Sequence, residues 1–464
     1  MDSYDVIVIG AGPAGENAAG RCAEGGLRVA IIERELVGGE CSYWGCMPSK
    51  VLLRPGDALA AAQRVPGVAS AITGVVVDAA ATFALRDRFT SNWDDSGSLP
   101  WLTDRGIAII RGAGRVAGER VVEVVGNDGS VERTLVADRA VVIATGTSAS
   151  LPPIPGLADS KPWDNRHVTM TSVVPERLLV IGGGAIGLEM AQAFRRLGSR
   201  EVTVFEAAPR LQAREEPFVG AEIQAAMEAE GIAFLVGVGL REVRRNADNS
   251  VTIELADDRT FTGDEVLVAA GRRPATASLG LETVGLEPGT YITVDDRLHA
   301  VGVPGGWLYA VGDCNGRALL THIGKYQARA AADVILGKDA TAWSDHAVVP
   351  RVTFTDPQIC AVGLTEAQAR EAGIDVRVVR YATGAVAGAA VLGTVFPGTS
   401  QLVIDETRRV VVGATFVGPG VQELLHSATI AIVGEVTLDR LWHAVPSFPT
   451  VSEVWLRLLE AYGL

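Results

Sequence analysis

Two cysteines with four residues between them, Cys41 and Cys46, stand in the run Gly38-Gly-Glu-Cys-Ser-Tyr-Trp-Gly-Cys-Met-Pro-Ser-Lys50. No other stretch of the chain is as well equipped for chemistry. Two thiols at this spacing can open and close a disulfide when an electron donor lies beside them. The competing reading is a metal pair. A structural zinc needs four Cys or His ligands clustered at short spacing, and no second Cys pair or His cluster lies near this one.

The elements that must position the pair lie upstream. Asp5-Val-Ile-Val-Ile-Gly10-Ala-Gly12-Pro13-Ala14-Gly15 is an apolar strand entering three glycines at G-x-G-x-x-G spacing, followed by an alanine-rich stretch at helical period. The first glycine permits the tight turn, the second lets backbone approach a pyrophosphate, and the third lets helix pack on strand. The helix N-terminus stabilises the negative charge. The next strand, Val29-Ala-Ile-Ile-Glu33, ends in a carboxylate about twenty residues on, where a ribose hydroxyl can donate to it.

The pattern recurs at Leu178-Leu-Val-Ile-Gly182-Gly-Gly184-Ala185-Ile186-Gly187, and its following strand ends in Glu206. Two cradles imply two dinucleotides. A carboxylate at Glu206 suits an unphosphorylated ribose and repels a 2′-phosphate, which favours NADH over NADPH, although Arg210 lies close in sequence. Val141-Val-Ile-Ala-Thr145-Gly146 is a strand ending in a Thr-Gly turn, and Pro152-Pro-Ile-Pro155-Gly156 reads as a stiff connector. Val266 to Gly271, with Arg-Arg-Pro274 after it, closes the second unit. Trp307 to Gly312 is a strand that delivers Asp313 at its end, a place to hold a polyol hydroxyl.

A chain of 464 residues is too long for one core and implies two to four domains. With 48% apolar and 21% charged residues it reads as globular. A formal charge of −14 argues against a nucleic-acid partner or an anionic membrane surface. There is no twenty-residue apolar span, and Met-Asp-Ser-Tyr-Asp enters the first strand without a basic leader, so a cytoplasmic location is expected. Five cysteines in so long a chain fit a reducing compartment, with Cys22, Cys314 and Cys360 as buried apolar residues.

Taken together these motifs resemble the flavin-dependent pyridine nucleotide-disulfide oxidoreductases, the family of dihydrolipoamide dehydrogenase, glutathione reductase and mercuric reductase. The likeness runs over nearly the whole chain and includes Phe354-Thr-Asp-Pro357 and Val362-Gly-Leu-Thr-Glu366, which resemble the start of that family's C-terminal interface domain. It implies an α/β fold: two doubly wound Rossmann-like domains for FAD and NAD, and an α+β C-terminal dimerisation domain. The corresponding segments are 1–150 for the first part of the FAD domain, 151–280 for the NAD domain, 281–345 for the second part of the FAD domain and 346–464 for the interface of a homodimer.

The resemblance also implies roles. Gly10, Gly12, Pro13, Ala14, Gly15, Glu33, Gly39, Lys50, Gly114, Thr145, Gly146, Gly312, Asp313 and Thr321 would hold FAD. Gly182, Gly184, Ala185, Ile186, Gly187, Glu206 and Gly271 would hold NAD(H). Cys46 would touch the flavin and Cys41 would be the outer thiol that meets the substrate. Lys50 follows Cys46 by four residues, so in a helix both project from one face, and its ammonium could stabilise a reduced, anionic flavin. Glu189 matches the acid that pairs with this lysine. Ala185 stands where some relatives carry an aromatic gate, and His322 falls where the family lays a helix N-terminus near the flavin.

The pattern breaks at the C-terminus. Dithiol-handling relatives carry His-Pro-Thr followed by an acid, and the His moves a proton at the outer thiol of the partner subunit. Here the stretch is Phe448-Pro-Thr-Val-Ser-Glu453, with Pro446 where an upstream His often stands. Phenylalanine moves no proton, and loss of a general base typically costs about 10²- to 10⁴-fold in rate.

One expectation is therefore an NADH-dependent flavoenzyme with a small-molecule electron acceptor other than an ordinary disulfide, such as a quinone, a redox dye or a thiol-reactive metal ion. The tail Glu460-Ala-Tyr-Gly-Leu464 has no cysteine pair, which argues against mercury. A second keeps a dithiol substrate as in dihydrolipoamide dehydrogenase and uses Glu40 as replacement base, with His443 a weaker substitute. A third is a flavin-bearing redox sensor. Tyr43 and Trp44 read mainly as packing.

Overall fold

The computed structural model describes residues 2–126, 128–394 and 397–464. The chain divides into two compact units, one of residues 1–48, 87–149 and 272–346, the other of residues 49–86, 150–271 and 347–464.

In the first unit the apolar runs form a sheet. Strands Ala108–Arg111, Val29–Glu33, Asp2–Ile9 and Val131–Ile143 lie side by side in that order and parallel, with Leu308–Ala310 added parallel to the end of Val131–Ile143. Ile9 pairs with both Ile32 and Ile143, so the glycine turn after Ile9 opens at the carboxyl end of the central strand. Val121–Val125 and Ala113–Gly118 continue the sheet antiparallel. Val6, Ile7 and Val8 are fully buried, as strands covered on both faces require.

Helices Pro13–Glu24 and Thr321–Ile335 pack together and run in the same direction. Ala14 lies near Gly324, Arg21 bonds Asp333 at 2.6 Å, and Gly25 meets Leu336. At their start Ala14, Gly312 and Gly324 crowd so closely that a Cβ on Gly324 would sit 3.2 Å from the Gly312 Cα and 3.3 Å from the Ala14 Cβ.

The second unit holds a parallel sheet in the order Ile232–Val236, Glu201–Glu206, Arg177–Ile181, Glu265–Val268, and a three-stranded antiparallel sheet of Leu240–Arg245, Val251–Leu255 and Thr260–Gly263. A five-stranded antiparallel sheet follows, in the order Arg351–Thr353, Gln358–Gly363, Val410–Gly418, Thr399–Asp405, Val376–Ala382, with helices Leu425–Val433 and Val454–Tyr462. Residues 49–86 are held in this unit by buried polar contacts. Arg86 donates to the Thr171 carbonyl at 2.9 Å, and Arg196 bridges Asp57 at 2.9 Å, Glu230 at 2.7 Å and Asp356 at 2.9 Å.

The two glycine turns share one geometry. Gly10 and Gly182 have φ of +101° and +115°, and a Cβ on Gly15 or Gly187 would overlap the carbonyl oxygen of Gly10 or Gly182. A Cβ on Gly184 would meet nothing within 4 Å. Gly187→Ala is therefore expected to lower stability by about 1–3 kcal/mol in urea unfolding, while Gly184→Ala unfolds within about 0.5 kcal/mol of the parent. Equal midpoints for parent and Gly187→Ala would refute this packing.

Candidate active site

In the first cradle the carboxylate at the end of the second strand binds the loop that it faces. Glu33 Oε2 accepts from the Ala11 N–H at 2.7 Å and Oε1 from the Glu35 N–H at 2.8 Å. Pro13 opens the helix and Gly12 caps it, with open space where a Cβ would stand. Gly39 approaches Gly12 so closely that a Cβ would lie 2.9 Å from the Gly12 Cα. Gly114 sits in its strand with Ile9 and Ile32 against it.

The strand ends nearby carry polar groups of a second kind. Thr145 Oγ1 is buried with no hydrogen-bond partner, beside Gly146 at φ +69°. A buried hydroxyl left so is costly unless a ligand meets it. Asp313 follows Gly312 in the turn after Leu308–Ala310, and Thr147 donates to it at 2.8 Å. Burial raises the Asp313 carboxyl, and Glu40 adds to this, against the Thr147 hydrogen bond and Arg272. Arg272 donates to Thr147 Oγ1 at 2.6 Å and to the Thr147 carbonyl at 2.8 Å. Gly312 N–H is held by Gln327 Oε1 at 2.7 Å, which ties helix Thr321–Ile335 to the strand end. Open backbone at Gly12, an orphaned hydroxyl at Thr145 and acceptors at Glu33 and Asp313 fit a dinucleotide with a polyol chain.

The cysteines come from two helices. Cys41 belongs to Gly39–Tyr43, and Cys46 is the first residue of Cys46–Gln63. Gly45 lets the chain turn between them, since a Cβ there would already be 3.1 Å from the Glu40 carbonyl, which itself accepts from the Trp44 N–H at 2.8 Å. Tyr43 and Trp44 are buried with ring centroids 5.7 Å apart, the packing role expected of them. The two thiols are hydrogen-bonded to each other, and Cys46 Sγ lies 3.4 Å from Thr321 Oγ1 at the start of helix Thr321–Ile335. The partner thiol first, then burial, pushes the Cys41 thiol upward, while Thr321 and Lys325 pull it down. Cys22 and Cys314 are buried and pushed up to about 12, and Cys360 is buried and pushed up as well, which leaves all three inert.

Lys50 is four residues after Cys46 on the helix Cys46–Gln63. Its Nζ bonds Glu189 Oε2 at 2.6 Å and lies 4.6 Å from the Phe354 ring centroid. Glu189 Oε1 accepts from the Phe354 N–H at 2.9 Å, so this buried carboxylate has a fixed orientation. Phe354 belongs to the Phe354-Thr-Asp-Pro357 motif, whose spacing in the sequence carries no sign of this contact with Lys50.

In the second cradle Glu206 accepts from the Gly183 N–H at 2.6 Å and the Ala208 N–H at 2.7 Å. Ala185 and Ile186 open the helix Ala185–Leu197, with Ile186 exposed, and Gly271 has φ +125°. Arg210 spends its guanidinium on the carbonyls of Gln212, Ala213 and Glu215 at 2.7–3.0 Å. In the C-terminal motif Phe448 is 76% exposed, whereas Glu453 is buried and accepts from Arg457 at 2.6 Å. His443 is exposed.

Residues 4–331 match the family described as pyridine nucleotide-disulphide oxidoreductase, and residues 349–458 match its dimerisation domain. The chain belongs to this family. A dihydrolipoyl dehydrogenase of Rhizobium etli is 32% identical over 100% of this chain and 98% of its own length. A mercuric reductase of Staphylococcus aureus is 30% identical over 97% of this chain and 81% of its own. Among solved structures, the HOCl-induced flavoprotein disulfide reductase RclA of Escherichia coli, in its Cu(II) complex, superposes with a TM-score of 0.86 at 26% identity, covering 99% of both chains. As a member, the protein is an NAD(P)H-dependent flavoprotein oxidoreductase with FAD as cofactor. Its two doubly wound sheets and C-terminal antiparallel sheet are the α/β architecture expected from the sequence. No helix among the described residues is long and apolar enough to cross a membrane.

The carboxyl group with the marked upward displacement beside this site is Glu16, directly after the third cradle glycine. Burial raises it from its ordinary 4.5 to about 7, with Glu33 adding to the rise and Lys325 opposing it. A carboxyl raised on folding favours the folded state below pH 4.5, and that contribution is lost as pH rises toward 7, because the folded chain holds the proton longer. At roughly 1.4 kcal/mol per pH unit the loss is about 3 kcal/mol. Glu16→Gln is expected to remove this slope, so that parent and variant converge at acid pH and the variant is the more stable by pH 8. Parallel stability curves from pH 4.5 to 8 in denaturant unfolding would contradict it.

Proposed function

We propose that the protein is an NADH-dependent flavoenzyme that reduces a small acceptor other than an ordinary dithiol or disulfide substrate, with a quinone as the best candidate. The overall reaction would be NADH + H⁺ + quinone → NAD⁺ + quinol. The observation that carries the reading is the pairing of an intact Cys41–Cys46 dithiol, set against Thr321, with Phe448 in place of a proton-transferring residue. FAD, when bound in the first cradle, supplies two-electron transfer between nicotinamide and sulfur.

The rest is done by side chains of the chain. Glu33 and Asp313 would accept from ribose and polyol hydroxyls, and the orphaned Thr145 hydroxyl would find its partner on the cofactor. Gly10, Gly12, Gly15, Gly39, Gly114, Gly146 and Gly312 would keep backbone close to it. Thr321 steadies Cys46, and Lys50, held by Glu189, would offer a fixed positive charge to electron density arriving near the sulfurs. Glu206 with Gly182, Gly184, Ala185, Ile186, Gly187 and Gly271 would hold NADH. Arg210 is committed to three carbonyls and so is not held ready for a 2′-phosphate, which supports NADH over NADPH. We also propose the four-part division at 150, 280 and 345, a homodimer through residues 346–464, and a cytoplasmic location.

A flat aromatic acceptor suits the apolar Phe448 better than a charged thiol does. The similarity to a chain solved as a Cu(II) complex makes Cu(II) the metal ion to set beside it.

With NADH as donor, quinone turnover is expected to exceed lipoamide turnover by at least about a hundredfold, and Phe448→His is expected to raise lipoamide turnover by about tenfold or more. Comparable lipoamide and quinone rates in the parent would overturn the reading. Anaerobic NADH is expected to bleach the flavin about ten times more efficiently than NADPH, from the ribose contact alone. Failure of NADH to bleach it would point instead to a sensor.

A further inference from the structure

The missing histidine leaves a physical problem that an aromatic ring does not solve. A thiolate at Cys41 is the reactive form, and a half-buried thiolate beside a second thiol needs a positive charge near it. Lys50 is already committed to Glu189 at 2.6 Å.

The helix Thr321–Ile335 carries a second cation. Thr321 Oγ1 lies 3.4 Å from Cys46 Sγ, and Lys325 follows one turn later on the same face of the helix. The crowding of Ala14, Gly312 and Gly324 fixes that helix against Pro13–Glu24, and Lys325 and Glu16 lie just past that contact in the first turns of the two helices. Among the described residues neither makes an ion pair within 4 Å. Lys325 acts electrostatically on both Cys41 and Glu16. Other charged and titratable groups around them include Glu40, Cys46 and Tyr43 from the dithiol segment and Glu33 from the strand end, with Glu16 also acting on Tyr43.

We propose that Lys325 is the charge partner of the Cys41 thiolate, and that Glu16 beside it sets how much of that charge the sulfur feels. Lys325 is a positioning residue for charge and takes no proton. The S–H bond of Cys41 breaks with its electron pair left on sulfur, and the proton goes to water. With Glu16 protonated, Lys325 faces the sulfur as an uncompensated cation. Once Glu16 ionises, its negative charge cancels part of that field. The proposal deepens the flavoenzyme reading above, in which the Cys41–Cys46 pair carries reducing equivalents, and rests on it.

The test measures the thiol directly. Holoenzyme reduced anaerobically with dithiothreitol is treated with iodoacetamide between pH 5 and 9, and modification of Cys41 is followed by peptide mass spectrometry in the parent, Lys325→Met, Lys325→Arg and Glu16→Gln. Lys325→Met is expected to slow Cys41 alkylation at pH 7 by about tenfold, since a cation within reach lowers a thiol pKa by roughly one unit or more. Lys325→Arg is expected to restore most of the rate. Glu16→Gln is expected to speed alkylation above pH 7 by about threefold and to remove an inflection near pH 7. Lys325→Met superimposing on the parent would overturn the proposal, as would Lys325→Arg being as slow as Lys325→Met. If Lys325→Met does not accumulate as flavin-loaded protein, Glu16→Gln decides alone: a profile identical to the parent refutes the coupling. Flavin bleaching by NADH is recorded on the same samples, so failure of the oxidoreductase reading shows there while the thiol titration stands separately.

Discussion

Helices Pro13–Glu24 and Thr321–Ile335 can begin side by side only because almost no side chain stands where Ala14, Gly312 and Gly324 meet. A single Cβ at Gly324 would press on both of the others, 3.2 Å from the Gly312 Cα and 3.3 Å from the Ala14 Cβ, and one of them would have to give way. Their shared direction brings two helix N-termini, each with a partial positive charge, to one end of the sheet. Everything reactive in the first unit is gathered at that end. The cradle opens there after Ile9, Asp313 is delivered by the adjacent strand, and Thr321 meets the sulfur of Cys46. Gln327 keeps the arrangement in register, accepting from Gly312 N–H at 2.7 Å and from Asn315 at 2.9 Å while donating to Asp345 at 2.8 Å.

The carboxylates at strand ends follow one rule in both cradles. Glu33 and Glu206 each span their own glycine loop, accepting one N–H from the loop and one from the residue two positions on. Such hydrogen bonds to an ionised acceptor are the strong kind, and they keep the loop shaped before any ligand arrives. A carboxylate oxygen accepts more than one hydrogen bond, so the same groups remain able to receive a ribose hydroxyl. Rigidity of the turn and, in the binding proposed above, recognition of the sugar would thus be two uses of one side chain.

Much of this was legible from the sequence because it is written in local patterns. Gly10, Gly12, Gly15 and Glu33 announce themselves by spacing, and so do their counterparts from Gly182 to Glu206. Cys41, Cys46 and Lys50 lie within ten residues. Thr147, Arg272, Phe354 and Lys325 were not foreseen, since each gains its meaning from a strand pairing or helix packing between segments far apart in the chain. Lys325 did have a local clue, the interval of four from Thr321 that had served for Cys46 and Lys50. Glu16, raised to about 7, had no such signal in the sequence. Its burial follows from the packing of helix Pro13–Glu24 against Thr321–Ile335, which begins far along the chain.

Two lysines illustrate how a fold can make charge either constant or adjustable. Lys50 faces a carboxylate that is itself fixed by a backbone N–H, and the aromatic ring of Phe354 closes the other side. Glu189 is buried with its second oxygen satisfied by the Phe354 N–H, so the geometry of the pair is fixed. Lys325 has no such clamp, and its neighbour Glu16 titrates at about 7, where a small change in acidity alters the local field. A fixed pair suits a step in which electrons arrive and leave with the same demand each time. Under the role proposed for Cys41, an adjustable pair would suit a thiol that is charged in one part of the cycle and neutral in another, a change for which the Phe448 side chain offers no proton.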